Sequence, residues 1–319
     1  MPIEASPFVP ARLLHGPHAQ TLFAYFGPRP PPVATRSERL ELPDGDFVDL
    51  AWTPPLVGPL VAVFHGLEGS VRSPYASGAL TALHAAGLPA VLMHFRGCSG
   101  EPNRLARAYH SGDTADIRYL LDQLMARGQA ATAAIGFSLG GNALLKYAAE
   151  QGTGCALRAV LAVSPALQPG AAATRMSIGA SRIYQRYLLD KLKRGIKNKR
   201  ALLRDHIDIA SALRSSSFRQ FDDRVTAPLH GFANADDYYA RSASRPLLRE
   251  IAVPTRILHS ADDPFFSADM VPRADELGPQ VTLELSEHGG HVGFVGPGGT
   301  PWLDQWIPST LRRMGVHAG

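Results

Sequence analysis

The chain has 319 residues, of which 45% are hydrophobic and 19% are charged, and this composition excludes an intrinsically disordered protein. The formal net charge is only +4, and the two cysteines, Cys98 and Cys155, are too few for a disulfide framework or a cysteine metal cluster. The sequence carries no recognisable secretion signal or membrane-spanning stretch, so we expect a cytoplasmic protein.

The predicted strands begin with a hairpin. Residues 37–42 and 47–52 alternate apolar and polar side chains around the turn Pro43-Asp44-Gly45, as at a sheet edge. Six short apolar runs follow at residues 60–64, 89–94, 132–136, 159–163, 256–259 and 282–285. Helices are predicted between them at residues 75–86, 111–126 (with Ser111 as N-cap), 140–150, 268–277 and 301–314. This alternation predicts an α/β fold with a mostly parallel sheet covered on both faces.

The alternation of strands and helices stops between Ser164 and Pro254. The intervening residues are rich in predicted helix and in basic side chains. An insertion of this size between two sheet strands is best interpreted as a cap over the strand ends. We therefore predict one domain, residues 1–319, with a helical cap at residues 165–253.

The basic character of the chain is local. Residues 182–204 contain nine lysine and arginine residues and one aspartate, which gives this segment a charge of +8. Apolar residues are interleaved near helical spacing. One interpretation is a solvated helix whose apolar stripe packs on the core, and the other is peripheral contact with an anionic membrane. A nucleic-acid partner is not expected, because no recognition motif accompanies the charge.

The most informative motif is Gly136-Phe137-Ser138-Leu139-Gly140, a G-x-S-x-G sequence between a predicted strand and a predicted helix. A sharp turn here would lift Ser138 out of the sheet, where a base can take its proton. The turn then needs glycine at positions 136 and 140, since a Cβ at either position would collide with backbone. The sequence therefore predicts Ser138 as a catalytic nucleophile.

The other members of a catalytic triad are predicted on two later turns. His291, in Gly289-Gly290-His291, follows the last strand and would be the general base. The acid lies in the turn after residues 256–259, where Asp263 is favoured and Asp262 remains an alternative. His288 is a competing base, but it lacks the glycines immediately before it, so a structural role is the better interpretation.

An oxyanion hole needs two backbone donors. The N–H of Leu139, directly after the nucleophile, is the first. The second is predicted at Leu67, in the loop His65-Gly66-Leu67-Glu68-Gly69 after the strand at residues 60–64. His65 itself is interpreted as a structural residue buried beneath this loop.

Neither a metal nor a cofactor is predicted. The remaining histidines show no ligand spacing such as H-E-x-x-H, and the chain contains no G-x-G-x-x-G or G-x-x-x-x-G-K-S/T phosphate-binding motif.

Taken together, these motifs resemble those of the YheT-like esterases, a branch of the α/β-hydrolase superfamily related to eukaryotic abhydrolase-domain lipases and phospholipases. The resemblance includes residues 16–21, 65–70, 96–100, 136–142, 221–223, 226–232, 237–239, 262–265 and 288–294. Ala19 replaces the leucine, and Ser99 the glycine, that are usual in the family. Neither departure touches the triad, which carries over to Ser138, Asp263 and His291.

The resemblance implies hydrolysis of small-molecule carboxylic esters with short or medium acyl chains, including lipid-like esters, through an acyl-enzyme intermediate. Acyl transfer and thioester cleavage use the same triad and stay open as alternatives. A binding module on a hydrolase fold is the alternative outside catalysis. The oligomeric state is not indicated by the sequence.

Overall fold

The computed structural model describes residues 2–318, and a nine-stranded sheet runs through it. The strands are β1 (Ile3–Ala5), β2 (Arg36–Glu41), β3 (Phe47–Trp52), β4 (Leu60–Phe64), β5 (Ala90–Met93), β6 (Ala131–Phe137), β7 (Ala159–Val163), β8 (Thr255–Ser260) and β9 (Val281–Ser286). Their spatial order is β1-β9-β8-β7-β6-β4-β5-β3-β2. Neighbours pair in parallel except β3 with β5 and β2 with β3. The predicted mostly parallel sheet and its edge hairpin are confirmed.

Helices surround this sheet. Outside the region between β7 and β8 they are α1 (Pro17–Phe26), α2 (Pro74–Ala85), α3 (Ala115–Ala126), α4 (Leu139–Gln151) and, last in the chain, α12 (Leu303–Arg313). Side chains of α3 and α4 share a core with one face of the sheet, and side chains of α2 and α12 share a core with the other. A short antiparallel pair, β10 (Val295–Gly296) and β11 (Thr300–Pro301), precedes α12.

Strand β4 illustrates why apolar runs form the centre of the sheet. All five of its residues are buried, and successive side chains point to opposite faces. Ala62 and Phe64 join the core beneath α3 and α4, whereas Val61 and Val63 join the core beneath α2 and α12. A strand buried on both faces needs an unbroken apolar sequence, and each large side chain contributes about 1.5–3 kcal/mol of burial free energy.

The chain between β7 and β8 is helical and is called the helical insertion (residues 165–253) below. Its helices are α5 (Pro169–Met176), α6 (Arg182–Asn198), α7 (Arg200–Leu203), α8 (Ile209–Leu213), α9 (Phe218–Phe221), α10 (Ala227–His230) and α11 (Ala235–Ser242), with a π-helical turn at Asp222–Thr226. These helices form a hydrophobic core of their own, which Phe265, Phe266 and Met270 join from the loop after β8.

Two predicted helices differ from the structure. Helix α3 begins at Ala115, not at Ser111, because the buried Ser111 accepts hydrogen bonds from Asn142 instead of capping a helix. No α-helix forms over residues 268–277, where two 3₁₀ turns lie at Ala268–Met270 and Ala274–Glu276. Pro272 explains the break, since the residue before a proline avoids helical backbone angles and Val271 is extended (φ −70°, ψ 125°). Strand β1 and helix α1 were absent from the prediction.

Candidate active site

Ser138 occupies the one-residue turn between β6 and α4. Its backbone has φ 51° and ψ −116°, a conformation that costs a non-glycine residue about 1–3 kcal/mol. An ideal Cβ on Gly140 would lie 2.3 Å from the His65 carbonyl oxygen, and one on Gly136 would lie 2.5 Å from the Gly140 carbonyl oxygen. The predicted need for both glycines is therefore confirmed, because only residues without a Cβ let this turn close.

The structure brings Ser138, His291 and Asp263 into one hydrogen-bonded row. Ser138 Oγ lies 2.8 Å from His291 Nε2, and His291 Nδ1 lies 3.0 Å from Asp263 Oδ2. Asp263 is 2% exposed, and its Oδ1 accepts the N–H of Phe265 at 2.8 Å. With both carboxylate oxygens engaged, the carboxylate has a fixed orientation towards the imidazole ring.

The two competing candidates, Asp262 and His288, lie together outside this row. Asp262 Oδ2 is 3.5 Å from His288 Nδ1, and Asp262 Oδ1 accepts a hydrogen bond from the Ser260 hydroxyl. The His288 side chain is half exposed. Asp262 and His288 therefore contact each other, and neither contacts Ser138.

Phe265 positions the imidazole of His291 in a way that the sequence did not predict. Its ring stacks on the imidazole at 3.8 Å between centroids with an interplanar angle of 7°. Phe266 meets the same imidazole edge-on at 5.3 Å. The signal available in the sequence was the pair of aromatic residues directly after Asp263-Pro264, but aromatic residues after a turn more often fill a core.

Helix α1 holds the turn that carries His291. The Thr21 hydroxyl accepts the backbone N–H of His291 at 2.9 Å. The fully buried Gln20 accepts the N–H of Val295 at 2.6 Å and donates to the Val295 carbonyl at 3.1 Å. Gly290 permits the close approach, since an ideal Cβ there would lie 2.5 Å from the Thr21 nitrogen. Residues 16–21, which resemble a family motif, therefore support the turn that carries His291, although no helix was predicted there.

The backbone N–H groups from Gly66 to Gly69, in the loop that follows β4, differ in whether they have an acceptor. Gly66 donates to the Tyr75 hydroxyl at 2.8 Å, Glu68 to the Tyr109 hydroxyl at 2.7 Å, and Gly69 to the Gly66 carbonyl at 3.0 Å. The N–H of Leu67 donates to no acceptor among residues 2–318. Leu139 is the first residue of α4, where a helix leaves its N–H groups without a carbonyl partner. The N–H groups of Leu67 and Leu139 therefore have no acceptor within residues 2–318, as their predicted role as oxyanion donors requires.

Strained backbone is concentrated around this site. Within the described part of the chain, the non-glycine residues with positive φ are Glu68, Ser138, Ser164 and Val292. Ser138 carries the hydroxyl, Glu68 follows the free N–H of Leu67, and Val292 follows His291. Ser164 supports that last turn, because its hydroxyl accepts the N–H of Val292 at 3.1 Å. Such conformations persist only where the surrounding structure determines them.

His65 has the buried position that the sequence predicted. Its Nε2 accepts the N–H of Phe95 at 3.0 Å and its Nδ1 lies 2.7 Å from the Gly66 carbonyl oxygen. Burial lowers the pKa of His65 to about 3, so its imidazole is neutral at pH 7. The side chain thus supports the oxyanion loop from beneath.

Glu68 adds an acidic group close to the nucleophile. Its carboxylate accepts the Tyr109 hydroxyl at 3.1 Å, and its carbonyl oxygen accepts a hydrogen bond from Lys191 of α6 at 3.3 Å. Burial raises the pKa of Glu68 above its ordinary value, against the hydrogen bond from Tyr109 and the charge of Lys191. These contacts join the oxyanion loop to the helical insertion.

Two cavities meet at Ser138. The insertion cavity has a volume of about 240 Å³ and extends beneath the helical insertion. The α1–α6 cavity has a volume of about 260 Å³ and lies between α1, the start of α2, and α6. Both are lined by Leu67, Glu68, Ser138, Leu188 and Phe265.

The basic segment lies mostly in α6, which has both buried and exposed apolar side chains. Helix α6 packs on the core of the insertion through the buried Leu189 and Ile196, as expected of a solvated helix. Ile183 and Tyr187 of the same helix remain 70% and 42% exposed at the α1–α6 cavity.

Within residues 2–318, no helix combines the length and apolar character that crossing a bilayer requires. No cluster of metal-ligating side chains occurs in that part of the chain either.

Comparisons with known proteins identify the family and the fold. A family model described as the alpha/beta hydrolase fold matches residues 59–296. The chain is 44% identical to the Escherichia coli (strain K12) protein named "Putative esterase YheT", over 97% of this chain and 94% of that protein. It is 25% identical to human "Phospholipase ABHD3", over 99% of this chain and 81% of that protein. The solved structure of the Pyrococcus furiosus esterase PF2001 shares the fold, with a TM-score of 0.59, 13% identity and 98% of each chain covered.

Proposed function

This chain belongs to the alpha/beta hydrolase family, and on that premise we propose that it is a serine ester hydrolase with Ser138 as its nucleophile. The observation that carries the proposal is the hydrogen-bonded row from Ser138 Oγ through His291 to Asp263. The esterase and phospholipase names of its relatives support the choice of an ester as substrate.

In the first half of the proposed reaction, Ser138 Oγ attacks the ester carbonyl carbon and its proton passes to His291 Nε2. The carbonyl oxygen becomes an oxyanion, which the N–H groups of Leu67 and Leu139 stabilise. The carbon–oxygen bond to the alcohol then breaks, and the alcohol leaves with the proton from His291. The acyl group remains on Ser138 as an ester.

Water completes the cycle. His291 takes a proton from water, the hydroxide oxygen attacks the acyl carbon, and a second oxyanion occupies the same two donors. Its collapse releases the carboxylic acid and returns the proton to Ser138. Asp263 contributes by keeping the proton of neutral His291 on Nδ1 and by stabilising the imidazolium that forms twice in each cycle.

Substrates with short or medium acyl chains, including lipid-like esters, fit the largely apolar walls of both cavities. Acyl transfer or thioester cleavage would use the same acyl-enzyme with a different acceptor or leaving group. Adding a primary alcohol to the assay separates transfer from hydrolysis, since transfer yields a new ester. A non-catalytic binding module has no support from the triad, in which no member is replaced.

The test is hydrolysis of p-nitrophenyl esters from acetate to palmitate by the wild type and by Ser138→Ala. We expect turnover by the wild type, with the highest kcat/KM at short or medium acyl length. We expect the kcat/KM of Ser138→Ala to be lower by about 10⁴-fold or more. Wild-type inactivity on every ester, together with no labelling of Ser138 by a fluorophosphonate, would contradict the proposal.

We further propose that the rim of the α1–α6 cavity contacts anionic membrane surfaces. Exposed apolar side chains form this rim, with Phe26 of α1 at 75% exposure and Ile183 of α6 at 70%, beside Leu22, Tyr25 and Tyr187. The hydroxyls of Tyr25 and Tyr187 are 2.8 Å apart and join the two helices. Basic side chains of α6 flank the rim and would attract anionic headgroups.

Vesicle sedimentation tests this contact in the Ser138→Ala background, which removes turnover. We expect binding to phosphatidylglycerol-containing vesicles that weakens with salt, and little binding to phosphatidylcholine alone. Phe26→Ser combined with Ile183→Ser should abolish the binding. Val57→Ser, which removes an even more exposed apolar side chain before β4, is the control. No binding would contradict membrane contact, and salt-independent binding would contradict the attraction to anionic headgroups.

A further inference from the structure

The two cavities differ in which parts of the catalytic machinery they reach. His291 lines the α1–α6 cavity and does not line the insertion cavity. Leu139, which follows the nucleophile, lines the insertion cavity and does not line the α1–α6 cavity. The two spaces therefore lie on chemically different sides of Ser138 Oγ.

The proton transfer in the proposed reaction determines which part of the ester extends into each cavity. The leaving oxygen must receive a proton from His291 Nε2, so it must lie within hydrogen-bond reach of that atom. The alcohol moiety attached to this oxygen then extends into the cavity that His291 lines. The acyl chain, on the other side of the carbonyl carbon, extends into the insertion cavity.

From this asymmetry we propose that the α1–α6 cavity is a leaving-group site and the insertion cavity an acyl site, and that substrates are esters with apolar groups on both arms. This inference rests on the proposed function and adds a substrate class to it. An acetate of a small alcohol would leave both cavities unfilled.

The walls of each cavity fit this class. Aliphatic and aromatic side chains line the α1–α6 cavity, among them Leu22, Tyr25, Phe26, Ile183, Tyr184 and Tyr187. Lys191 adds an ammonium group near its inner end, where it donates to Glu68. The insertion cavity is lined by apolar side chains such as Ala172, Met176 and Phe221, and by polar ones such as Asn103 and Lys199.

Two positions allow each cavity to be filled separately. Gly195 of α6 lines the insertion cavity, and an ideal Cβ there meets nothing within 4 Å. Ala24 of α1 is half-buried and lines the α1–α6 cavity. Gly195→Phe should therefore shorten the acyl site, and Ala24→Phe should narrow the leaving-group site. Lys197→Phe places the same ring on an exposed part of α6 that lines neither cavity.

Ethyl decanoate and decyl acetate are the probes, because these isomers have identical atoms and place the long chain on opposite arms. Hydrolysis is followed by titrating the released acid. We expect Gly195→Phe to lower kcat/KM for ethyl decanoate by about tenfold or more and to change that for decyl acetate by less than about twofold. Ala24→Phe should do the reverse, and Lys197→Phe should keep the wild-type ratio.

The opposite pattern would overturn the assignment of the arms. Equal losses on both isomers in both variants would overturn the separation into two sites. If the wild type hydrolyses neither these isomers nor the p-nitrophenyl esters, the proposed function itself is contradicted. If circular dichroism shows that a phenylalanine variant does not fold, the leucine variant at the same position, Gly195→Leu or Ala24→Leu, replaces it.

Discussion

The turns that carry Ser138, Asp263 and His291, called the catalytic corner here, are built differently from the helical insertion that covers them. In the catalytic corner, backbone packs against backbone at distances that exclude a Cβ, and non-glycine residues hold positive φ angles. In the insertion, Gly179, Gly195 and Gly231 have open space where a Cβ would be, whereas a Cβ on Gly170 would lie 2.9 Å from the Tyr239 ring. The proposed chemistry thus depends on backbone geometry, whereas the proposed choice of ester depends on the side chains that line the cavities.

The largest expected effect is a loss of kcat in the catalytic corner, and it distinguishes the roles of the adjacent carboxylates of Asp262 and Asp263. Asp263→Asn would leave His291 in the wrong tautomer and should lower kcat by about 10⁴-fold, the magnitude known for the corresponding change in trypsin. Asp262→Asn keeps the contact between Asp263 and His291 and should change kcat by less than about threefold. Steady-state kinetics on one p-nitrophenyl ester measures both. A larger loss in Asp262→Asn would reverse this assignment.

A matched pair of glycine substitutions compares the two regions directly. Gly140→Ala puts a Cβ against the backbone of β4 and should lower the free energy of unfolding by about 3 kcal/mol. Gly195→Ala occupies open space inside α6 and should raise it by up to about 1 kcal/mol, through helix propensity. Urea unfolding of both variants gives the two values. Similar destabilisation by both would show that the insertion is packed as tightly as the catalytic corner.

Acid should destabilise the contact between the insertion and the loop before α3, where the ring of His230 meets that of His110. Burial and the neighbouring His110 and Arg107 lower the pKa of His230 to about 3 in the folded protein. The unfolded chain binds this proton near pH 6.5, so the stability is complete above pH 6.5 and is lost as pH falls towards 3. At pH 5 this one histidine costs up to about 2 kcal/mol.

Urea unfolding at pH 7 and pH 5 measures this cost. In His230→Phe, the stability lost between the two pH values should be smaller than in the wild type by up to about 2 kcal/mol. The exposed His317→Gln should keep the wild-type loss. An unchanged loss in His230→Phe would mean that His230 already binds its proton in the folded protein.

The smallest expected effect concerns the support of His291 by α1. Thr21→Val removes the acceptor of the His291 N–H and should lower kcat by about tenfold with little change in KM, the equivalent of one hydrogen bond. Thr21→Ser keeps the hydroxyl and should restore most of kcat. If the serine variant is as slow as the valine variant, the hydroxyl does not position His291.

The sequence predicts the features that depend on local pattern. Buried runs such as β4 are visible because a strand covered on both faces must be apolar throughout. The turn at Ser138 is visible because its glycines lie at fixed spacing. The helix predicted at residues 268–277 was wrong because the effect of Pro272 on Val271 outweighed the apolar periodicity.

Other features depend on contacts between distant residues, and no local pattern encodes them. The loop that carries the N–H of Leu67 is held by hydrogen bonds from its neighbours to the hydroxyls of Tyr75 and Tyr109. Residues of α6 line both cavities, together with α1 in one and with other helices of the insertion in the other, and periodicity does not describe this packing.

The central claim is that Ser138 carries the acyl group during turnover. The most direct measurement is the intact mass of the protein after acid quenching within milliseconds of mixing with p-nitrophenyl octanoate, followed by peptide mapping. We predict a mass increase of one octanoyl group on the peptide that contains Ser138 and no increase in Ser138→Ala. Full turnover without any acylated peptide, or an acyl group on another residue, would contradict the account.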